Sequence, residues 1–253
     1  MTRKRIYLAA AALGAVMVFA GAYFALAGEG GKDQDRILTK VTFIHFKKGH
    51  GKPPDAGGGK GGGKKQEQGY YTYIAKGAKW RTVEDLRLNP SCDENLSQPL
   101  ITNAVEAGLD EWETPGNAVF DIFGTVVLDP SATYNDGAYR GCNTISFGSY
   151  GDPDVIAITT VWGYFSGPIS QREIVEAHIL MNDDFVWGDA SAGPVVMDVQ
   201  NIVTHELGHC AGMGDLYESP AGEETMYGYS TEGELKKRDL YKGDITGIIN
   251  LYE

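Results

Sequence analysis

Cysteine is scarce in this chain: three in 253 residues, Cys92, Cys142 and Cys210. At most one intramolecular disulfide can form, so an exported form would keep one thiol out of pairing. Cys92 and Cys142 stand in loop-like sequence, Pro-Ser-Cys-Asp and Arg-Gly-Cys-Asn, and are the candidate pair. A bridge there would close about fifty residues and stabilise by ~4 kcal/mol on the chain-entropy argument. Histidine is nearly as scarce, with five residues. Basic charge is missing from most of the chain. Residues 1–69 carry a net +7, and the whole carries −12, so residues 70–253 hold −19. A domain that acidic does not seek nucleic acid or anionic lipid. Long apolar runs are missing too, with one exception at the start.

That exception, Ile6 to Ala27, follows Arg3, Lys4 and Arg5 and ends Ala25-Leu26-Ala27. A basic flank and a small-residue end suit a secretory signal. A run of about 22 residues is also long enough to span a bilayer as an uncleaved anchor, with the basic end inside. Both readings place the rest of the chain outside the cytoplasm, secreted or membrane-attached, so residues 1–27 form the first segment. Residues 28–69 form the second: a β-branched, aromatic strand, Val41–Phe46, then a Gly/Lys stretch that cannot bury a core. The strand could pair with strand-like Tyr70–Ile74, or the whole segment could be a removable propeptide. The third segment, 70–253, is the compact domain.

Within it, Trp80–Leu88 is strand-like, and Ile101, Val105, Leu109 and Trp112 recur at helical spacing before Pro115-Gly116. Ala118–Leu128, Asn143–Phe147, Val155–Trp162 and part of Ile174–Trp187 read as further strands. A helix with an apolar stripe, Val199, Ile202, Val203 and Leu207, then starts at Asp198. It carries His205-Glu206-Leu207-Gly208-His209-Cys210-Ala211-Gly212-Met213-Gly214-Asp215. Two histidines four apart project from one helix face and can share a metal ion. Glu206 is placed to work on water rather than to bind the metal. Gly212 can end the helix at positive φ and bring Asp215 round as a third ligand, leaving one position open for chemistry. Cys210 points about 100° away from His209 and belongs to packing. Glu223-Glu224-Thr225-Met226-Tyr227-Gly228 then reads as a tight turn around Met226.

This set resembles the metzincin clan of zinc metalloproteases, whose pattern is HExxHxxGxx(H/D) followed by a methionine turn. The matrixin-like branch is the nearer resemblance, because the chain ends Asp244-Ile245-Thr246-Gly247-Ile248-Ile249-Asn250-Leu251-Tyr252. Asp215 stands where matrixins usually carry histidine, as in snapalysin-like enzymes. The resemblance implies an α+β catalytic domain: a mixed, mostly parallel twisted sheet with an antiparallel edge strand, an active-site helix and a C-terminal helix. It implies one catalytic Zn2+ on His205, His209 and Asp215, Glu206 as general base, and Met226 as packing under the ligands. It also implies that Val155–Trp162 is the exposed edge to which a peptide or protein substrate adds as a strand. Tyr227 or Tyr229 could donate to the oxyanion, and residues 229–241 would wall the specificity pocket. Matrixin latency often uses a propeptide cysteine, but none precedes Cys92.

Other readings stay open. The chain could be a catalytically inactive binding module on the same scaffold, which would predict loss of the base or a ligand; neither is lost. Structural Ca2+ could occupy Asp152/Asp154 or Asn182-Asp183-Asp184, against the plainer reading of a solvated acidic surface. His45, His50 and His178 read as ordinary strand or linker histidines rather than ligands.

Overall fold

The computed structural model of the chain describes residues 36–49, 69–92, 96–116, 122–193 and 195–253. The Ile6–Ala27 run, His50 and most of the Gly/Lys stretch lie outside the described residues. Among those described, no helix is long and apolar enough to cross a membrane.

Among the described residues, nine strands and three α-helices alternate in a mixed α/β order. They are β1 (Thr39–Lys47), β2 (Glu84–Leu88), α1 (Gln98–Gly116), β3 (Phe123–Leu128), β4 (Asn143–Gly148), β5 (Val155–Tyr164) and β6 (Glu173–Asn182). The short β7 (Trp187–Gly188) and β8 (Met197–Asp198) follow, then α2 (Val199–Ala211), β9 (Tyr229–Ser230) and α3 (Lys242–Tyr252). The main sheet has seven strands in the order β3-β2-β4-β6-β5-β1-β9. The block β3-β2-β4-β6 is parallel throughout, and β5 runs antiparallel to β6. This is the mostly parallel sheet with antiparallel members that the resemblance implies.

One expectation fails. The Val155–Trp162 segment is antiparallel but not an exposed edge, because β1 pairs antiparallel along it from Thr39↔Gly163 to Phe46↔Val155. Its near-continuous apolar sequence is that of an interior strand, buried from Val155 to Val161. Nor does β1 pair with Tyr70–Ile74, where only Tyr73 makes a bridge, to Met213. Strand β1 accordingly belongs to the same sheet as the strands that follow Tyr70.

The core lies between sheet and helices. The α1 stripe Ile101, Val105, Leu109 and Trp112 is buried as its period requires, and α1 packs on α2. Trp112 is tied there by its indole N–H to the Thr204 carbonyl at 2.7 Å. Cys142 is a free thiol, so the Cys92–Cys142 bridge is not formed. Strands β2 and β4 are parallel with Leu86 opposite Asn143, which puts Cys142 at their start, while Cys92 follows their far end.

Candidate active site

Helix α2 is started by Asp198, whose Oδ1 accepts the Asn201 N–H at 2.8 Å. Arg238 donates through Nε to the same oxygen at 2.8 Å, and so ties the segment after the methionine turn to the helix start. Along α2, His205, Glu206 and His209 are all buried. Gly212 ends the helix at φ 106°, and the Met213 N–H returns to the Gly208 carbonyl at 2.8 Å. A side chain at Gly212 would lie 2.9 Å from the Ala78 carbonyl, so glycine is required on conformation and on space.

The reversal brings Asp215 Oδ1 to 3.3 Å from His205 Nε2 and 3.4 Å from His209 Nε2. None of these three buried atoms has a hydrogen-bond partner. The opposite ring nitrogens are engaged: His205 Nδ1 donates to the Thr225 carbonyl at 2.7 Å and His209 Nδ1 to the Met213 carbonyl at 3.0 Å. A carbonyl can only accept, so each Nδ1 carries a proton, and in the neutral rings both Nε2 lone pairs face Asp215. Three orphaned acceptors converging in a buried space is a costly arrangement unless a cation completes it. Two imidazoles and a carboxylate suit Zn2+, and the residues present fit that ion.

Burial pushes the His205 imidazole down to about 4. Burial would lower His209 as well, but the Asp215 charge outweighs it and leaves His209 raised. The same imidazoles hold Asp215 well below the usual carboxylate range despite its burial. Burial pushes the neighbouring Glu206 up to about 7, poising it to exchange a proton near neutrality.

The third-ligand loop and the methionine turn are built together. The Leu216 N–H donates to the Met226 carbonyl at 2.8 Å, and the Gly228 N–H to the Leu216 carbonyl at 2.9 Å. Met226 is fully buried, and its sulfur would be 2.3 Å from a Cβ placed on Gly208, between the two histidines. Asp244 of α3 accepts the Thr225 and Met226 N–H groups at 2.6 and 3.2 Å, and the N–H of its own cap residue Tyr241 at 3.1 Å. The aspartate opening the C-terminal sequence pattern thus holds the turn that bonds His205.

Several residues that touch this site were not evident from sequence. The Tyr217 hydroxyl donates to Asp215 Oδ2 at 2.9 Å, and Tyr229 meets the Tyr217 ring edge-on at 5.3 Å and the Tyr227 ring edge-on at 5.7 Å. Thr159 of β5 donates to Glu206 Oε2 at 2.6 Å. His45, expected to be an ordinary strand histidine, lies instead 2.9 Å through Nδ1 from Glu206 Oε1. Its alternation with Phe43 on one strand face was the only available signal. Lys237, in the expected wall segment, is fully buried and donates to the Tyr227 carbonyl.

The other candidates lie elsewhere. His178 bonds Thr144 Oγ1 at 2.7 Å and Glu176 Oε1 at 2.8 Å, in a network whose carboxylate also accepts the Arg140 and Cys142 N–H groups. Cys210 is buried in the core. Asp152 caps the Asp154 N–H at 3.0 Å and Asn182 caps that of Asp184 at 3.2 Å, so these clusters serve turns. Among the described residues, both groups with metal-ligand spacing are at α2, and neither includes the expected calcium clusters.

The family model Peptidase_M10, matrixin, matches residues 143–253, the stretch from β4 through α3. Over that stretch the chain is similar to the matrixins, zinc metalloproteases of the metzincin type. No curated protein matches the chain.

Proposed function

We propose that the chain is a zinc-dependent endopeptidase acting outside the cytoplasm, with His205, His209 and Asp215 as metal ligands and Glu206 as general base. The observation that carries this reading is the convergence of three partnerless lone pairs beside a buried carboxylate. Zinc, when bound there, supplies Lewis acidity that makes water a competent nucleophile and polarises the scissile carbonyl. Glu206 accepts the proton of the attacking water and returns it to the departing amine. Tyr217, bonded to Asp215, fixes the orientation of that carboxylate. Met226 supports the ligand histidines from below as packing alone. The substrate is a peptide or protein in extended form, and the −19 charge of residues 70–253 argues against nucleic acid.

The basic, apolar N-terminus supports export, with membrane attachment if it is left uncleaved. Calcium has no part in this reading. The inactive-module alternative loses ground because every ligand and the base are present. The test is hydrolysis of an unfolded protein by the zinc-loaded chain, compared with Glu206→Gln. The expected result is activity that chelation abolishes, that zinc restores, and that the variant lacks while still binding zinc. Equal turnover by both proteins would remove Glu206 from the mechanism.

A further inference from the structure

Strand β1 lies on the metal-ligand set as well as on the sheet. The Phe43 ring stacks on that of His209, centroids 3.8 Å apart and 9° from parallel. Two residues on, the His45 ring lies 4.0 Å from that of His205. Both side chains are 1% exposed. The Lys237 ammonium beside His45 Nε2 can only donate, so Nε2 is the acceptor and Nδ1–H is given to Glu206 Oε1. Nε2 meets the Ser230 hydroxyl at 3.1 Å and the Lys237 ammonium at 3.3 Å. With Thr159 on the other oxygen, both acceptor atoms of Glu206 are taken.

The strand is held on its far side as well. Phe46 and Lys47 pair parallel with Tyr229 and Ser230, the Lys48 N–H donates to the Ser230 carbonyl at 2.8 Å, and Lys47 meets Glu232 at 2.6 Å. β1 therefore fills the whole space between the β5 edge and the segment after the methionine turn. An extended peptide added to β5 would need the same backbone donors and acceptors, and the same space over the histidines.

We propose that residues 39–47 are an internal pseudosubstrate: the strand occupies the substrate channel, with Phe43 and His45 over the metal ligands and His45 on the base, and hydrolysis requires its withdrawal. The inference rests on the zinc-peptidase reading. It assigns to a strand and a histidine the latency that this chain has no early cysteine to provide. The bonds that hold β1 are noncovalent and belong to one chain, so its withdrawal is reversible unless the chain is cut.

The test uses the full chain carrying Phe43→Ala and His45→Ala, and separately Lys47→Glu, which breaks only the outer ion pair and leaves the core untouched. A fluorescent peptide with the sequence of residues 38–48 is titrated into each protein, zinc-loaded and carrying Glu206→Gln to prevent cleavage. The expected result is binding to the double variant at least tenfold tighter than to the parent, with Lys47→Glu between them and a scrambled peptide binding none. Amide exchange should rise in β1 and stay slow in α2, showing that the fold is kept. With Glu206 intact, the double variant should hydrolyse a generic peptide at least tenfold faster than the parent, and the added peptide should suppress it. Equal peptide binding by parent and variants would overturn the proposal. Tighter peptide binding without hydrolysis would leave the strand as occupant and overturn the peptidase reading instead.

Discussion

At the scale of single residues, the metal set depends on groups that do not touch the metal. The Nδ1 bonds of His205 and His209 and the Tyr217 bond to Asp215 fix which lone pair faces inward. Removing such a partner typically costs ten- to a hundredfold in metal affinity or activity. Tyr217→Phe keeps the ring packing against Tyr229 and removes only the donor, so zinc affinity should fall by roughly that factor. Competition with a chromophoric chelator would measure it; unchanged affinity would show that Asp215 needs no orientation. The proposed ligand cluster was legible in sequence, because helical period places His205 and His209 together and Gly212 permits the turn to Asp215. Tyr217, Thr159 and Lys237 were not, because nothing in their local sequence distinguishes a tyrosine, threonine or lysine that faces the site from one that faces water.

At the scale of elements, α2 is pressed from below. A Cβ on Gly208 would lie 2.3 Å from the Met226 sulfur and 2.5 Å from the Trp112 ring. Gly208→Ala should therefore destabilise despite alanine's better helix propensity, by about 1–3 kcal/mol as overpacking does. Urea unfolding of the metal-free protein reads this directly, and a gain in stability would show that Met226 can yield. Helices α1 and α2 and strands β4, β5 and β6 were readable because each carries its own period or β-branched run, whereas α3 was expected from the resemblance alone. The partner of β1 was not. Its register with β5 joins residues 124 apart, such as Thr39 and Gly163, and no local pattern encodes that pairing. The same limit undid the disulfide expectation, since loop-like sequence around Cys92 and Cys142 says nothing about which end of a parallel pair each occupies.

At the scale of the whole molecule, a cation on the proposed ligands would be part of the fold. His205, His209 and Asp215 come from α2 and the loop after it, and Thr225 and Asp244 connect them to the methionine turn and α3. A ligand bound only by the folded state at a hundred times its Kd adds about 2.7 kcal/mol. For a domain of this size that corresponds to a melting temperature roughly 5–10 °C higher with zinc than with chelator. Identical melting curves would mean that the three side chains hold nothing.

The most direct test of the account is X-ray absorption at the zinc edge of the metal-loaded chain, beside Asp215→Ala. The account predicts one zinc per chain, with nitrogen and oxygen neighbours at about 2.0–2.2 Å and no sulfur shell. It also predicts that the variant loses an oxygen neighbour or the metal itself. A sulfur shell at about 2.3 Å would instead place a cysteine on the metal and contradict the assignment of His205, His209 and Asp215 as the set.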